Sequence, residues 1–97
     1  MSSNEIETTK LVELCRANDA AMVGIFGSFA RGEATAESDV DVLIRFRRPK
    51  SLVAIVRLER ELTAAIGRKV DLLTEASLSP YLRPYIARDL RVLYEAA

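Results

Sequence analysis

The sequence predicts an α/β (α+β) fold in which helices pack on a mixed β-sheet. Three short apolar runs, at residues 21–26, 39–46 and 69–74, are bounded by turn residues, as buried strands are. Segments with apolar residues at helical spacing precede the first run and separate the second from the third. Strands and helices in this order form a layer of helices on a sheet, and residues 1–97 are expected to be a single domain.

Three helices are expected. Ser3 or Asn4 can cap the first, which should end near Arg16 or Asn18, and its apolar side is Ile6, Leu11, Leu14 and Cys15. The second should begin at Ser51 and end before Gly67, and its apolar side is Ile55, Leu58, Leu62, Ala65 and Ile66. The third should lie around 81–89, with Pro84 in its first turn.

The strands are separated by recognisable turns. Asn18-Asp19 is typical of a turn before the first strand, and Gly27-Ser28 turns the chain after it. Residues 29–31 can form one helical turn that Gly32 ends, and residues 33–37 are polar and read as a loop. The second strand, 39–46, ends at Arg47-Arg48-Pro49, and a short last strand is expected at 91–94.

Composition excludes several classes of function. The 14 cations and 14 acidic residues balance, which argues against a general nucleic-acid binder. The absence of histidine excludes His bases and His metal sites, so acid–base and metal chemistry must come from carboxylates. The single Cys15 suits a reducing cytosol. No apolar stretch approaches the ~18 residues of a membrane span, and MSSNEIETTK lacks the features of a signal peptide.

Three aspartates form the strongest candidate for chemistry. Asp39 and Asp41 are one residue apart on a predicted strand, so both side chains point to the same face. Asp71 lies in a later strand between Val70 and Leu72 and joins them if the two strands are neighbours. Adjacent carboxylates repel, and a divalent cation such as Mg²⁺ or Mn²⁺ removes that penalty. Three carboxylates can hold two metals roughly 4 Å apart for an in-line displacement.

The turn at Gly27-Ser28 is a candidate phosphate site. Glycine lets the backbone approach a ligand, helix-start amides attract phosphate, and the Ser28 hydroxyl can bond a phosphate oxygen. An ordinary strand-to-helix turn is the alternative. Arg31 can pair with a triphosphate or fix the loop through Asp39 or a backbone carbonyl. Ser38 can contribute to the site or order the loop before Asp39.

Other polar and aromatic residues have simpler interpretations. The cations Arg45, Arg47, Arg48 and Lys50 form a basic patch that is either a solvated strand end or a contact surface for a partner or nucleic acid. The aromatic residues are expected to be core or half-buried, and they are Phe26, Phe29, Tyr81, Tyr85 and Tyr94. An exposed sheet edge or the 81–94 segment could mediate self-association.

The run from Gly27 to Ile44, G-S-x-x-R-G-x(5)-S-D-x-D-x-x-I, resembles the signature of the polymerase-β-like nucleotidyltransferase superfamily. More narrowly, nearly the whole chain resembles the minimal nucleotidyltransferases (MNT) of bacteria and archaea. The strand V-D-L-L around Asp71, the following L-S-P-Y-L and the closing V-L-Y are similar to the usual MNT ending.

The resemblance implies a palm of mixed β-sheet with flanking helices. It implies that Asp39 and Asp41 ligate Mg²⁺, that Asp71 completes the metal site and helps to activate the attacking hydroxyl, and that Gly27 and Ser28 contact nucleotide phosphate. It also implies a partner, because MNT proteins commonly pair as antitoxins with a small helical HEPN toxin. In such pairs the MNT protein can transfer AMP from ATP to a tyrosine of the toxin (AMPylation).

Two alternatives to this hypothesis stay open. The chain could neutralise its partner by contact alone, without catalysis. It could instead adenylate a small molecule or RNA, although such enzymes generally carry an additional substrate-binding domain. A chain of 97 residues supplies a catalytic core with little protein to grip a second substrate, which favours a partner protein that presents its own hydroxyl.

Overall fold

A computed structural model describes residues 7–96 as four strands, four α-helices and one 3₁₀ turn. The elements in chain order are α1 Thr8–Ala17, β1 Ala20–Phe26, α2 Ser28–Arg31, β2 Val40–Phe46, α3 Leu52–Ile66, β3 Val70–Thr74, the 3₁₀ turn Glu75–Ser77, α4 Arg83–Asp89 and β4 Arg91–Glu95. The predicted order of helices and strands is confirmed. The 3₁₀ turn was not predicted.

The strands form one mixed sheet in the order β3-β2-β1-β4. β1 pairs antiparallel with both β2 and β4, whereas β2 and β3 are parallel and are joined through α3. The mixed sheet with flanking helices is therefore as predicted. Parallel neighbouring strands begin at the same end of the sheet, so the first residues of β2 and β3 lie side by side.

Each face of the sheet has its own core. On one face α1 and α3 cover the larger cluster of buried residues, which are Leu11, Cys15, Ala20, Val23, Ile25, Val40, Val42, Ile44, Leu58, Leu62, Val70 and Leu72. On the other face α4 contributes Ile86 to a smaller cluster with Met22 and Leu43. This division follows from the two-residue alternation of strand side chains. Burial raises the pKa of the Cys15 thiol to about 12, so the thiol stays protonated at neutral pH.

Local signals explain where α3 begins and ends. The Ser51 hydroxyl accepts a hydrogen bond from the Ala54 amide at 3.1 Å, which is an N-cap. Gly67 ends the helix with φ of 81°, a left-handed conformation that favours glycine. Both boundaries are as the sequence predicted.

The outer edge of β3 is closed by side chains of α3. The Val70 amide donates to Thr63 Oγ1 at 3.0 Å, and the Leu72 amide donates to Glu59 Oε2 at 2.8 Å. Edge strands otherwise present unpaired amides. These two bonds therefore fix β3 against α3 as well as against β2.

One sequence-based expectation falls on residues that the structure does not describe, and another is wrong. The described part of α1 begins at Thr8, after the predicted caps Ser3 and Asn4, which lie outside residues 7–96 together with Ile6. Tyr81 and Tyr85 were expected to be core or half-buried, but they are 85% and 63% exposed. The physical reason is that Tyr81 lies before α4 and that the seven-residue α4, which contains Tyr85, buries only Ile86. Within residues 7–96, no helix is long and apolar enough to cross a membrane.

Candidate active site

The pairing of β1, β2 and β3 assembles the predicted site at the end of the sheet where β1 ends and where β2 and β3 begin. In the parallel pair, Asp41 lies directly opposite Asp71, and in the antiparallel pair Phe26 lies opposite Asp41. The turn at Gly27 therefore emerges beside one flank of Asp41, and Asp71 lies on the other. Asp39 lies one residue before β2, where the Val40 amide donates to the Lys69 carbonyl at 2.9 Å.

The alternation of β2 and β3 aims these carboxylates away from the larger core. Val40 and Val42 are fully buried on one face of the sheet. Asp41 is half-buried on the face of Leu43, which belongs to the smaller cluster under α4. The sequence-based expectation that Asp71 would join the carboxylates of β2 is confirmed, because β3 does lie beside β2.

The charges of the three aspartates act on one another. Burial raises the pKa of the Asp41 carboxyl, and the nearby carboxylates of Asp71 and Asp39 raise it further, while Arg31 lowers it. The ionised form of Asp41 is thus disfavoured by its surroundings. A divalent cation or an ammonium group placed among the carboxylates relieves this repulsion.

Lys69 supplies one such cation, and the sequence reasoning missed it. Its Nζ lies 4.0 Å from Asp39 Oδ2 and 3.9 Å from Asp71 Oδ1, while its side chain remains 69% exposed. Lys69 immediately precedes β3, but its role depends on the pairing of β3 with β2. The signal available in the sequence was only a lysine two residues before Asp71.

The donor set fits a hard divalent cation in its chemistry, because it consists of carboxylate oxygens. Among the His, Cys, Asp and Glu residues of 7–96, however, no group of three or more is arranged to hold a metal ion. Asp39, Asp41 and Asp71 are brought together without forming a ready metal centre, and the ammonium of Lys69 lies near two of them. Their role as metal ligands stays a prediction.

Position 27 requires glycine because of its backbone conformation and because of the nearby Asp41 side chain. Its φ of 73° and ψ of −152° belong to a region that is essentially restricted to glycine. A Cβ atom at this position would overlap Oδ2 of Asp41. The turn therefore lies directly against the central carboxylate, a contact that was not predicted.

Ser28 begins α2, and Gly32 ends it with φ of 74°. The first amides of any helix have no partner within the helix, so this turn presents N–H groups next to Asp41. The predicted helical turn before Gly32 is confirmed. The phosphate contact of Gly27 and Ser28 is not tested by the geometry and stays a prediction.

Arg31 has different partners from those expected within the protein. Its Nε donates to Glu33 at 3.1 Å and its Nη1 donates to Asp89 at 2.9 Å, rather than to Asp39 or a backbone carbonyl. Asp89 is the last residue of α4 and lies 58 residues further along the chain. The pairing connects α4 to the turn that carries Gly27, and sequence periodicity could not have predicted it.

The loop between α2 and β2 is ordered by Ser38 and Arg68. Ser38 Oγ accepts from the Thr35 amide at 2.8 Å, which confirms the loop-ordering interpretation of this residue. Arg68 donates to the carbonyl oxygens of Thr35 and Ala36 at 2.9 and 3.2 Å and lies over the Phe29 ring. Arg68 was also missed, because its contacts join the end of α3 to a distant loop.

Comparison with known proteins identifies the family of the chain. Residues 9–93 match the family described as the nucleotidyltransferase domain. The chain is 38% identical over 89 residues to "Putative protein adenylyltransferase MJ0435" of Methanocaldococcus jannaschii, a match that covers 92% of this chain and 95% of that protein. It is 40% identical over 68 residues to protein adenylyltransferase MntA of Thermococcus cleftensis, covering 70% and 69% of the two chains.

Solved structures agree on the fold. One contains a tri-AMPylated HEPN toxin of Shewanella oneidensis in complex with an MNT antitoxin, and the chain matches it with a TM-score of 0.74 and 22% identity. The match covers 91% of this chain and 69% of that one. At this identity the likeness concerns the fold, while the family rests on the sequence matches. The chain therefore belongs to the nucleotidyltransferase domain family, as an enzyme of the MNT type homologous to protein adenylyltransferases.

Proposed function

We propose that this protein transfers AMP from ATP to a hydroxyl group of a HEPN-type toxin, with a tyrosine as the acceptor, and thereby acts as its antitoxin. The observation that carries the proposal is the register that sets Asp41 opposite Asp71, with Gly27 against the Asp41 carboxylate. A relative is named as a protein adenylyltransferase, and a structurally similar antitoxin occurs with an AMPylated HEPN toxin. These names support the proposal for this chain.

The nucleotide is proposed to bind with its phosphates at the Gly27-Ser28 turn. The first amides of α2 and the Ser28 hydroxyl are suited to phosphate oxygens. Arg31 is a candidate for the triphosphate as well, but it would have to exchange Glu33 or Asp89 for phosphate. Ser38 would act mainly by holding the loop that leads to Asp39.

In the proposed reaction the acceptor hydroxyl attacks the α-phosphorus of ATP. A new P–O bond forms, the bond between the α-phosphorus and its bridging oxygen breaks, and pyrophosphate leaves. Asp39 and Asp41 would hold Mg²⁺, or Mn²⁺, which when bound neutralises the triphosphate charge and polarises the phosphoryl group. Asp71 is placed opposite Asp41 and is the candidate to accept the hydroxyl proton. The rate acceleration would come from orienting the hydroxyl towards the α-phosphorus and from neutralising the charge of the triphosphate.

The proposal is tested by the mass of the partner. A small helical HEPN-type protein is incubated with the wild-type protein, ATP and Mg²⁺, and its intact mass is measured. We expect one or more added AMP units, which disappear with Asp39→Asn and with Asp41→Asn but persist with the control Glu13→Gln, an exposed residue of α1. Peptide mapping then identifies the modified side chain.

A stable complex without any change of mass would refute the transfer and favour neutralisation by contact. Retained transfer in both aspartate variants would refute the proposed roles of those residues. Added AMP on a small molecule or RNA, and none on the protein, would keep the chemistry and change the acceptor.

A further inference from the structure

The helix α3 has an apolar surface that the fold does not use. One side of α3 packs in the larger core through Leu58 and Leu62, which are 1% and 0% exposed. The opposite side carries Leu52, Val53 and Val56 at 75%, 67% and 39% exposure. Large apolar residues grouped on the outside of a helix are informative, because folding alone gives no reason for them.

Arginines continue this outer side of α3. Leu52, Val53 and Val56 line a shallow groove together with Arg57 and Arg60, and its volume is about 390 Å³. Each of these residues lies three or four positions from another member of the group, so they form one stripe along the helix. We call these five residues the α3 stripe.

Neighbouring cations make this region basic in a chain whose net charge is zero. Residues 45–60 contain six of the 14 cations and only one of the 14 acidic residues, Glu59. Glu59 is engaged with the Leu72 amide. Arg45 and Lys50, which belonged to the predicted basic patch, are engaged in ion pairs with Glu75, Glu95 and Asp19.

The arginines of the stripe differ from Arg45 and Lys50. Within residues 7–96, the ion pairs that the structure shows include neither Arg57 nor Arg60. The stripe thus combines three apolar residues towards the start of α3 with two cations that follow them along the helix. Its complement is a surface with an apolar ridge and carboxylates at the matching end.

We propose that the α3 stripe docks an acidic, amphipathic helix of the acceptor protein. This inference rests on the proposed function for the identity of the partner. A helix fits because its apolar ridge can pack along Leu52, Val53 and Val56 while its Asp or Glu residues reach Arg57 and Arg60. A second copy of the chain fits less well, since its own stripe holds no carboxylate to pair with Arg57 and Arg60, and RNA would place phosphates on the apolar residues.

The position of the stripe suits recruitment rather than chemistry. α3 packs on the face of Val42 and Ile44, whereas Asp41 is on the face of Leu43. The whole domain measures 36 × 29 × 26 Å. A helix of about 20 residues spans about 30 Å, so a helical partner can dock on α3 and still present a hydroxyl at the aspartates.

The test combines charge reversal with an apolar substitution. Arg57→Glu/Arg60→Glu and, separately, Leu52→Gln/Val53→Thr are compared with the control Arg83→Glu/Arg91→Glu, which reverses two exposed arginines of α4 and β4. Titration calorimetry measures the affinity for the co-expressed helical partner, and initial rates give KM and kcat for AMP transfer. Thermal melts establish that every variant is folded.

We expect both α3 variants to bind the partner at least tenfold more weakly and to raise KM for the partner by a similar factor, with kcat within twofold of wild type. The control should match wild type. Unchanged affinity of the charge-reversal variant would overturn the inference even if transfer occurs. Loss of binding in the α3 variants, with no transfer by wild type, would support the docking surface while refuting the proposed function. An α3-dependent dimer or RNA complex in place of partner binding would overturn it.

Discussion

Removing the charge of Asp41 should make the protein more stable while it abolishes AMP transfer. Burial and the carboxylates of Asp71 and Asp39 raise the pKa of Asp41, so its ionised form costs free energy in the folded state. Neighbouring strands are about 4.8 Å apart, and two unit charges at about 5 Å repel by roughly 0.8 kcal/mol in water. Because Arg31 offsets part of this cost, we expect Asp41→Asn to raise the free energy of unfolding by about 0.5–1 kcal/mol.

The gain should appear as a rise in Tm of about 2–8 °C at neutral pH, given the size of the domain. The pKa of Asp41 is higher in the folded than in the unfolded state, so the wild type loses stability as the pH rises from the unfolded value towards the folded one. The difference between variant and wild type should therefore vanish below about pH 4 and shrink in high salt.

Thermal melts of both proteins, measured without divalent cation and again with excess Mg²⁺, provide the assay. Mg²⁺ should stabilise the wild type more than Asp41→Asn, because the variant offers the cation one carboxylate less. A variant less stable than wild type at pH 7 and low salt would refute the argument from repulsion. An equal response of the two proteins to Mg²⁺ would refute the role of Asp41 in binding the cation.

Three other variants test the surroundings of the site. Gly27→Ala should lower stability by about 1–3 kcal/mol through backbone strain and reduce AMP transfer at least tenfold, because its methyl group meets Asp41; melts and partner mass measure both effects. Lys69→Met should bind Mn²⁺ about three- to tenfold more tightly without nucleotide, since it removes a competing cation, as electron paramagnetic resonance can measure. Asp19→Asn should destabilise the protein at pH 7, because Lys50 lowers the pKa of Asp19, and this loss should diminish as the pH falls through the folded pKa.

Matched substitutions separate specific effects from general ones. Gly32 also has a positive φ, but nothing lies within 4 Å of the methyl group that Gly32→Ala would add. This variant should therefore lower the stability of the protein and keep AMP transfer. Lys10→Met removes an exposed lysine of α1 and should leave Mn²⁺ affinity unchanged. Equal losses of transfer in the two glycine variants, or equal Mn²⁺ affinities in the two lysine variants, would contradict the reasoning. For Asp19, the melts are repeated from pH 7 to pH 3, and a pH-independent difference would contradict the ion-pair argument.

Much of the site could be predicted because it depends on local alternation. Val40, Val42 and Ile44 are apolar at every second position, which identified their face as buried and placed Asp39 and Asp41 on the other. The turn at Gly27 was recognisable from its composition alone. The one long-range assumption, that the strand of Asp71 lies beside β2, was correct because a single helix joins the two strands and parallel neighbours need such a crossover.

The residues that could not be predicted depend on contacts between distant segments. Lys69 reaches Asp39 only because β3 aligns with β2, and Arg68 reaches the loop at Thr35 only because α3 ends beside it. Neither contact has a periodicity that a sequence displays. The burial of Tyr81 and Tyr85 was predicted wrongly because aromatic residues are usually buried. Tyr81 precedes α4, and the seven-residue helix that contains Tyr85 buries only Ile86.

The bonds from Thr63 and Glu59 to β3 have a consequence for how the sheet can grow. A neighbouring chain that tried to add a strand at this edge would find the Val70 and Leu72 amides already occupied, and it would have to displace both side chains of α3. The strand that carries Asp71 is thereby shielded from aggregation and from slipping in register. A candidate catalytic carboxylate on an outermost strand thus keeps a fixed place opposite Asp41, although only one side of its strand is covered by the sheet.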